Sequence, residues 1–381
     1  MPRNLDWPAP LTKVMMRWRL LPAFLLCVTA CSSSTTTPIA ATSHHPSPSP
    51  SANAVPATQM CFTRPPSDWS DAMSTLIASL DGINFGMGAV DDKDGLVFGG
   101  VFGASRSYIA AVNLASGKLT EIAPVQLQGF GWMSFADGWL AWPQFGLGGS
   151  SIQLWNSQTH ERRQIVTSGP SDAAIGDGEV AWTEGAGGDN QTSALRVYQF
   201  ATGKISSLDS GKLETPVFAG HYLVWTKAPA TAPDATFDAA LVFADAATLQ
   251  PMAAPPELSA VRGVANLAGS PDRLVWTSQA GSSAWLVDDL PVGIVRTYQS
   301  HGHDLQFPQL ADPYLAWAGT AGDSMIDLRS GVGFDLPYLG RIEAGGDTVV
   351  VDSGVHLKGQ DRTDIAVLHP SQLSPLGPCV T

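Results

Sequence analysis

The chain has 381 residues, a formal charge of −13, and only 14% Asp, Glu, Lys and Arg. That length exceeds one ordinary core, so two or three domains or a repeat array is expected. A surface so poor in Lys and Arg excludes phosphate-based binding of nucleic acid and docking on anionic lipid through a basic patch.

The first element in chain order is a targeting segment, residues 1–30. "MRWRLLPAFLLCVTAC" opens with Arg17 and Arg19 and continues as an apolar run from Leu20 to Thr29. Ten residues are too few to span a bilayer as a helix, but they suit the core of a signal peptide. The run ends Val28-Thr29-Ala30-Cys31, which resembles the bacterial lipobox. The resemblance implies that Cys31 is lipidated and becomes the first mature residue; the alternative is an ordinary secretory cleavage site. Residues 31–60 follow with a Ser/Thr/Pro/Ala-rich stretch that cannot bury enough apolar surface to fold, and it reads as a tether. His44 and His45 fall within it with no other ligand residue nearby.

Residues 61–381 are the expected folded domain, with 61–82 as a seam segment and 83–381 as repeats. In the seam, "PPSDWSDAMSTLIASL" predicts a short helix with Ser67 or Asp68 as its N-cap. The 38 glycines and 28 prolines favour many short strands joined by turns over long helices.

One phrase then recurs: a turn pair, an aliphatic pair and an aromatic. It reads "DGLVF" ending at Phe98, "DGWLAW" at Trp142, "DGEVAW" at Trp182, "GHYLVW" at Trp225, "PDRLVW" at Trp276, "DPYLAW" at Trp317 and a degraded "GDTVVV" at Val351. The spacings are 44, 40, 43, 51, 41 and 34 residues. An alternating apolar stretch precedes each turn, so turn and phrase predict a hairpin. A third alternating stretch follows, such as "YIAAVNL" from Tyr108, then a turn such as "ASGKL" and a short fourth strand. Four antiparallel strands per 40–45 residues is the unit of a β-propeller blade. The fold class is therefore all-β: a single propeller of about seven blades, six being possible. Strand alternation puts Leu140 and Trp142 on one face and Trp139 and Ala141 on the other. The recurring indole is expected to be a wedge between blades: about 200 Å² of ring buried there contributes up to ~5 kcal/mol before conformational cost.

This pattern, over Ile83 to Thr381, resembles the TolB-like and WD-repeat-like β-propellers found in bacterial envelope proteins and as accessory domains of prolyl oligopeptidases. "AVNLASGKLTEI" and "VYQFATGKISSL" share a turn with the quinone-cofactor propellers, but Leu or Ile stands near where the docking Trp would be. No cofactor is expected. A hydrolase domain or G-x-S-x-G elbow outside the repeats is also missing from the sequence.

With Cys27 in the signal and Cys31 lipidated, Cys61 and Cys379 remain. An exported ring would bring them together as a disulfide across the closure, the alternative being two free thiols. "DDKDG" at Asp91 to Gly95 matches the turn position of the other repeats and reads as a β-turn. His301, His303 and Asp304 form the one local cluster with metal-ligand chemistry, and it needs a fourth ligand from another blade. Loops after the second and fourth strands emerge on the same face. Residues just past each Trp, namely Gln144, Glu184, Lys227 and Gln279, with Asp189 and Asn190 from "TEGAGGDNQT", are therefore the candidate binding face.

Three functions remain open. The favoured one is a monomeric, membrane-anchored extracytoplasmic scaffold that binds an envelope protein or peptide and touches membrane only through its lipid. The others are an extracellular hydrolase or lyase with converging carboxylates of raised pKa, and a small-ligand or metal-binding lipoprotein.

Overall fold

Short strands separated by turns pair into four-stranded antiparallel groups that follow one another along the chain. The computed structural model describes residues 58–378 apart from 104–105, 126–129, 147–148, 186–191, 215, 234, 236–237, 279–282, 288–294, 300–305, 319–322, 337–340 and 353–361. Blade 1 comprises Asn84–Asp91, Leu96–Phe102, Ser107–Asn113 and Leu119–Val125. Blades 2 to 6 cover 134–167, 170–213, 217–252, 264–299 and 306–335 in the same manner. Blade 7 takes three strands from 342–368 and its fourth, Leu76–Asp81, from the start of the folded region.

Among the described residues this makes seven groups: five sheets hold one each, and an eight-stranded sheet holds blades 3 and 4, joined where Leu213 pairs with Lys227. The first strand of every blade packs against the first strands of both neighbours, blade 7 against blade 1 included. The array therefore closes into a β-propeller with its first strands around a central channel. First strands start, and second strands end, at one face of the ring, called the upper face below.

The segment before blade 1 does more than cover a seam. Thr58–Gln59 adds a parallel strand to the outer edge of blade 5, and Cys61–Phe62 adds one to blade 6. Helix α1, Ser67–Ser74, comes next. Its N-cap is Pro66, with no side-chain capping bond, so neither Ser67 nor Asp68 fills the expected role. Pro66 is already extended (φ −55°, ψ 159°) and sets the entry to the helix. The Asp68 carboxylate is used elsewhere, accepting from the Ser374 N–H at 2.6 Å. The helix stops before "LIASLD", whose alternation sends Ala78 and Leu80 into the blade 7–blade 1 core.

Among the described residues seven apolar clusters hold the ring, each filling one gap between successive blades. Leu140 and Trp142 face blade 1 while Ala141 faces blade 3, as strand alternation requires. Trp182, Trp225, Trp276 and Trp317 likewise pack on the preceding blade. Their neighbours Ala181, Val224, Val275 and Ala316 pack on the following one. All five indoles are at most 2% exposed.

The two atypical copies solve the same problem differently. Phe98 is not the wedge of blade 1: it points toward blade 2, because the copy is one residue short of the indole register. Gly99 holds that register position, and a Cβ there would strike the Gly86 carbonyl and the Phe85 ring, so Phe85 fills the gap instead. In blade 7, Val351 faces blade 6 as the register demands, and the missing bulk comes from α1. Trp69 is fully buried, 5.4 Å from the Tyr314 ring and 5.2 Å from Phe334, with Nε1 donating to the Ser374 carbonyl at 2.7 Å.

If Trp69 is the substitute wedge, Trp69→Ala should destabilise the fold by about 3–5 kcal/mol, as much as Trp142→Ala inside a repeat. Urea denaturation of both variants checks this. A Trp69→Ala cost under about 1 kcal/mol would mean that α1 is peripheral to ring closure.

Candidate functional site

Asp189, Asn190, Gln279, His301, His303, Asp304, Cys31 and Cys379 lie outside the described residues. Among the described residues no group of three His, Cys, Asp or Glu side chains is placed to hold a metal ion. Gln144, Glu184 and Lys227 each stand two residues past a wedge indole, on blades 2, 3 and 4, at the upper face.

Two of the three are engaged within the fold. The Glu184 carboxylate accepts from the Ser168 N–H at 2.5 Å and hydroxyl at 2.9 Å, and from Arg196 Nε at 3.1 Å. Burial alone would raise its pKa, but these hydrogen bonds outweigh burial and hold it below the usual range. Lys227 Nζ donates to Asp209 at 2.6 Å, and the other Asp209 oxygen accepts from the Trp225 indole at 3.0 Å. Gln144 borders a small polar cavity of about 160 Å³ with Ser151, Gln153 and Gln164.

The channel mouth is built by residues that sequence reading passed over. First strands are irregular where they face the wedge. The ladder of blade 6 slips between Gln306 and Gln309, that of blade 5 between Ala265 and Ala268, and that of blade 3 between Pro170 and Ala173. In blade 2, Gly131 to Met133 stand opposite only Trp142 and Pro143. A bulge adds a residue and re-aims its side chain. Phe307 sits in such a bulge at φ +51°, a conformation uncommon for a residue with a Cβ.

The re-aimed side chains converge. Trp132 of blade 2 stacks on Phe307 of blade 6, centroids 5.3 Å apart and planes 27° apart. The Arg341 guanidinium, from the entry to blade 7, lies 4.2 Å from the Trp132 centroid. Gly86 of blade 1 lies alongside the guanidinium: a Cβ there would be in ordinary contact with Nη1, at 3.5 Å. Blades 6, 7, 1 and 2 thus meet in one cluster at the upper end of the channel. The signal in the sequence is faint: one residue too many for strict alternation in "FGWMSF" and "LQFPQL".

Beneath it lies Glu343, 3% exposed, with Oε1 accepting from Arg341 Nε at 3.2 Å. Burial pushes its pKa up to about 7, although Arg341 pulls the other way. Asp91 and Glu179 are also raised, chiefly by burial. Asp91 ends the first strand of blade 1 and Glu179 begins the second strand of blade 3, so both lie at the face opposite the Trp132–Phe307 cluster.

Because folding raises the Glu343 pKa, the folded state binds more protons than the unfolded chain between about pH 4.5 and 7. Stability from this group is therefore present below pH 4.5 and is lost as pH rises through 7. Glu343→Gln should match the natural chain near pH 4.5 and exceed it by a few kcal/mol at pH 8, read from urea midpoints. A gap that does not grow with pH would show that Glu343 ionises freely in the fold.

No family profile matches the chain, and no curated protein matches it. Solved structures do. A prolyl endopeptidase aligns with a TM-score of 0.54 at 15% identity over 82% of this chain and 50% of its own, so the chain spans about half that enzyme's length. An oligogalacturonate lyase in complex with manganese aligns at 0.53 and 10% identity, covering 77% and 91%. TolB from Acinetobacter baumannii is also similar, at 0.40 and 10% identity, covering 71% and 61%. At such identities the likeness shows the fold alone, and the fold is a β-propeller.

Proposed function

We propose that this protein is a lipid-anchored extracytoplasmic module that binds another envelope protein, or a peptide of one, at the upper mouth of its propeller. The observation that carries the reading is the Trp132–Phe307–Arg341 cluster. Phe307 remains 38% exposed, and its backbone lies in the left-handed region. Strained, part-exposed aromatic and Arg side chains are a cost to the fold alone, and they are the residue types that anchor partners.

The anchoring part rests on sequence: the basic and apolar run, the Val28-Thr29-Ala30-Cys31 pattern and the tether that follows. A Cys61–Cys379 bridge belongs to the same proposal. Cys61 is disulfide-bonded and lies on the outer edge of blade 6, and an exported protein sits where such bonds persist. A loop of that length is credited with ~5 kcal/mol in the chain-entropy view.

The test is capture of partners by the mature lipidated chain, immobilised in detergent and exposed to an extract of its own envelope. One protein, identified by mass spectrometry, should be enriched reproducibly and lost with Trp132→Ala/Phe307→Ala. Circular dichroism and the melting temperature would confirm that this double variant is folded. An empty eluate, or equal capture by the double variant, would overturn the reading.

A further inference from the structure

The chemistry of Arg341 narrows what this mouth accepts, and the argument rests on the binding reading above. Of its guanidinium N–H groups, Nε is committed to Glu343, while among the described residues Nη1 and Nη2 have no hydrogen-bond partner. The side chain is 37% exposed and is held in place by the Trp132 ring. Burial keeps Glu343 largely protonated below its pKa of about 7, so in that range the positive charge of Arg341 is not cancelled from below. A guanidinium with a free fork fits the two oxygens of a carboxylate. Phe307, stacked on the same Trp132 ring, offers a part-exposed aromatic surface. The bulge at Phe307 interrupts its strand ladder and turns the ring out of the regular pleat.

We propose that the channel mouth is a carboxylate site for an acidic peptide: Arg341 takes an Asp or Glu side chain or a chain-terminal carboxylate, and a neighbouring apolar side chain lies on Phe307. The exposed Phe307 ring favours a peptide, which carries an apolar side chain beside its acid, over a sugar acid, which has none.

Calorimetric titration of the mature chain tests this with defined probes. N-acetyl-Phe-Glu-Phe-amide is compared with its Gln counterpart, with N-acetyl-Phe-Phe bearing a free C-terminus, and with trigalacturonate. The Glu peptide, the free-terminus peptide or both should bind about tenfold tighter than the Gln peptide, as expected for one hydrogen-bonded charge. Which of the two does so identifies the carboxylate source. The preference should vanish in Arg341→Gln, whereas Phe307→Ala should weaken all peptides alike. Should Arg341→Gln fail to fold, salt gives a second readout in the natural chain: added NaCl should weaken the acidic peptides and spare the Gln peptide. Equal binding of all peptides, binding of trigalacturonate alone, or no binding would each overturn the inference. Partner capture that persists without any carboxylate preference would leave the binding reading standing. An empty capture with a clear carboxylate preference would do the reverse.

Discussion

Ring closure depends on filling the space between blades, because each four-stranded sheet exposes two apolar faces and is stable only when both are covered. Strand alternation assigns the labour. An indole reaches back to the preceding blade and a small or branched residue accepts the next one, as at Trp142 and Ala141. Repeating this in blades 2 to 6 makes their interfaces alike without making any sequence copy identical.

The exceptions show that the constraint is spatial. Blade 1 has glycine in the indole register and a phenylalanine from the adjacent strand in its place. Blade 7 has a valine, and the indole arrives from a helix outside the repeats. That helix lies between two strands that stitch blades 5 and 6 and one that completes blade 7. Chain before the first blade therefore holds three others together, and closure is noncovalent along most of its length.

The same geometry makes the upper channel mouth. Bulges in the first strands turn side chains away from the regular pleat, and those of blades 2 and 6 meet across the channel. Arg341 then sits against the Trp132 ring, and burial, more than charge, governs the ionisation of Glu343 beneath it. Glu184 and Lys227 face the same side of the molecule, but hydrogen bonds and ion pairs spend their polarity on holding loops and strands.

By itself the sequence determined the architecture. A phrase repeated every 40 residues or so carries hairpin, wedge and alternation within a few positions, and such local patterns survive in one dimension. It also carried the orientation of the indoles and the face on which loops gather. Only the tertiary structure decided which residues meet at that face, since Trp132, Phe307, Arg341 and Glu343 come from blades 2, 6 and 7 and are separated by more than two hundred residues of chain at the extreme. The same holds for Trp69 in the blade 7 interface and for Leu76–Asp81 as its outer strand. Long-range pairing is set by closure of the ring, and closure leaves no local trace in the residues that it brings together.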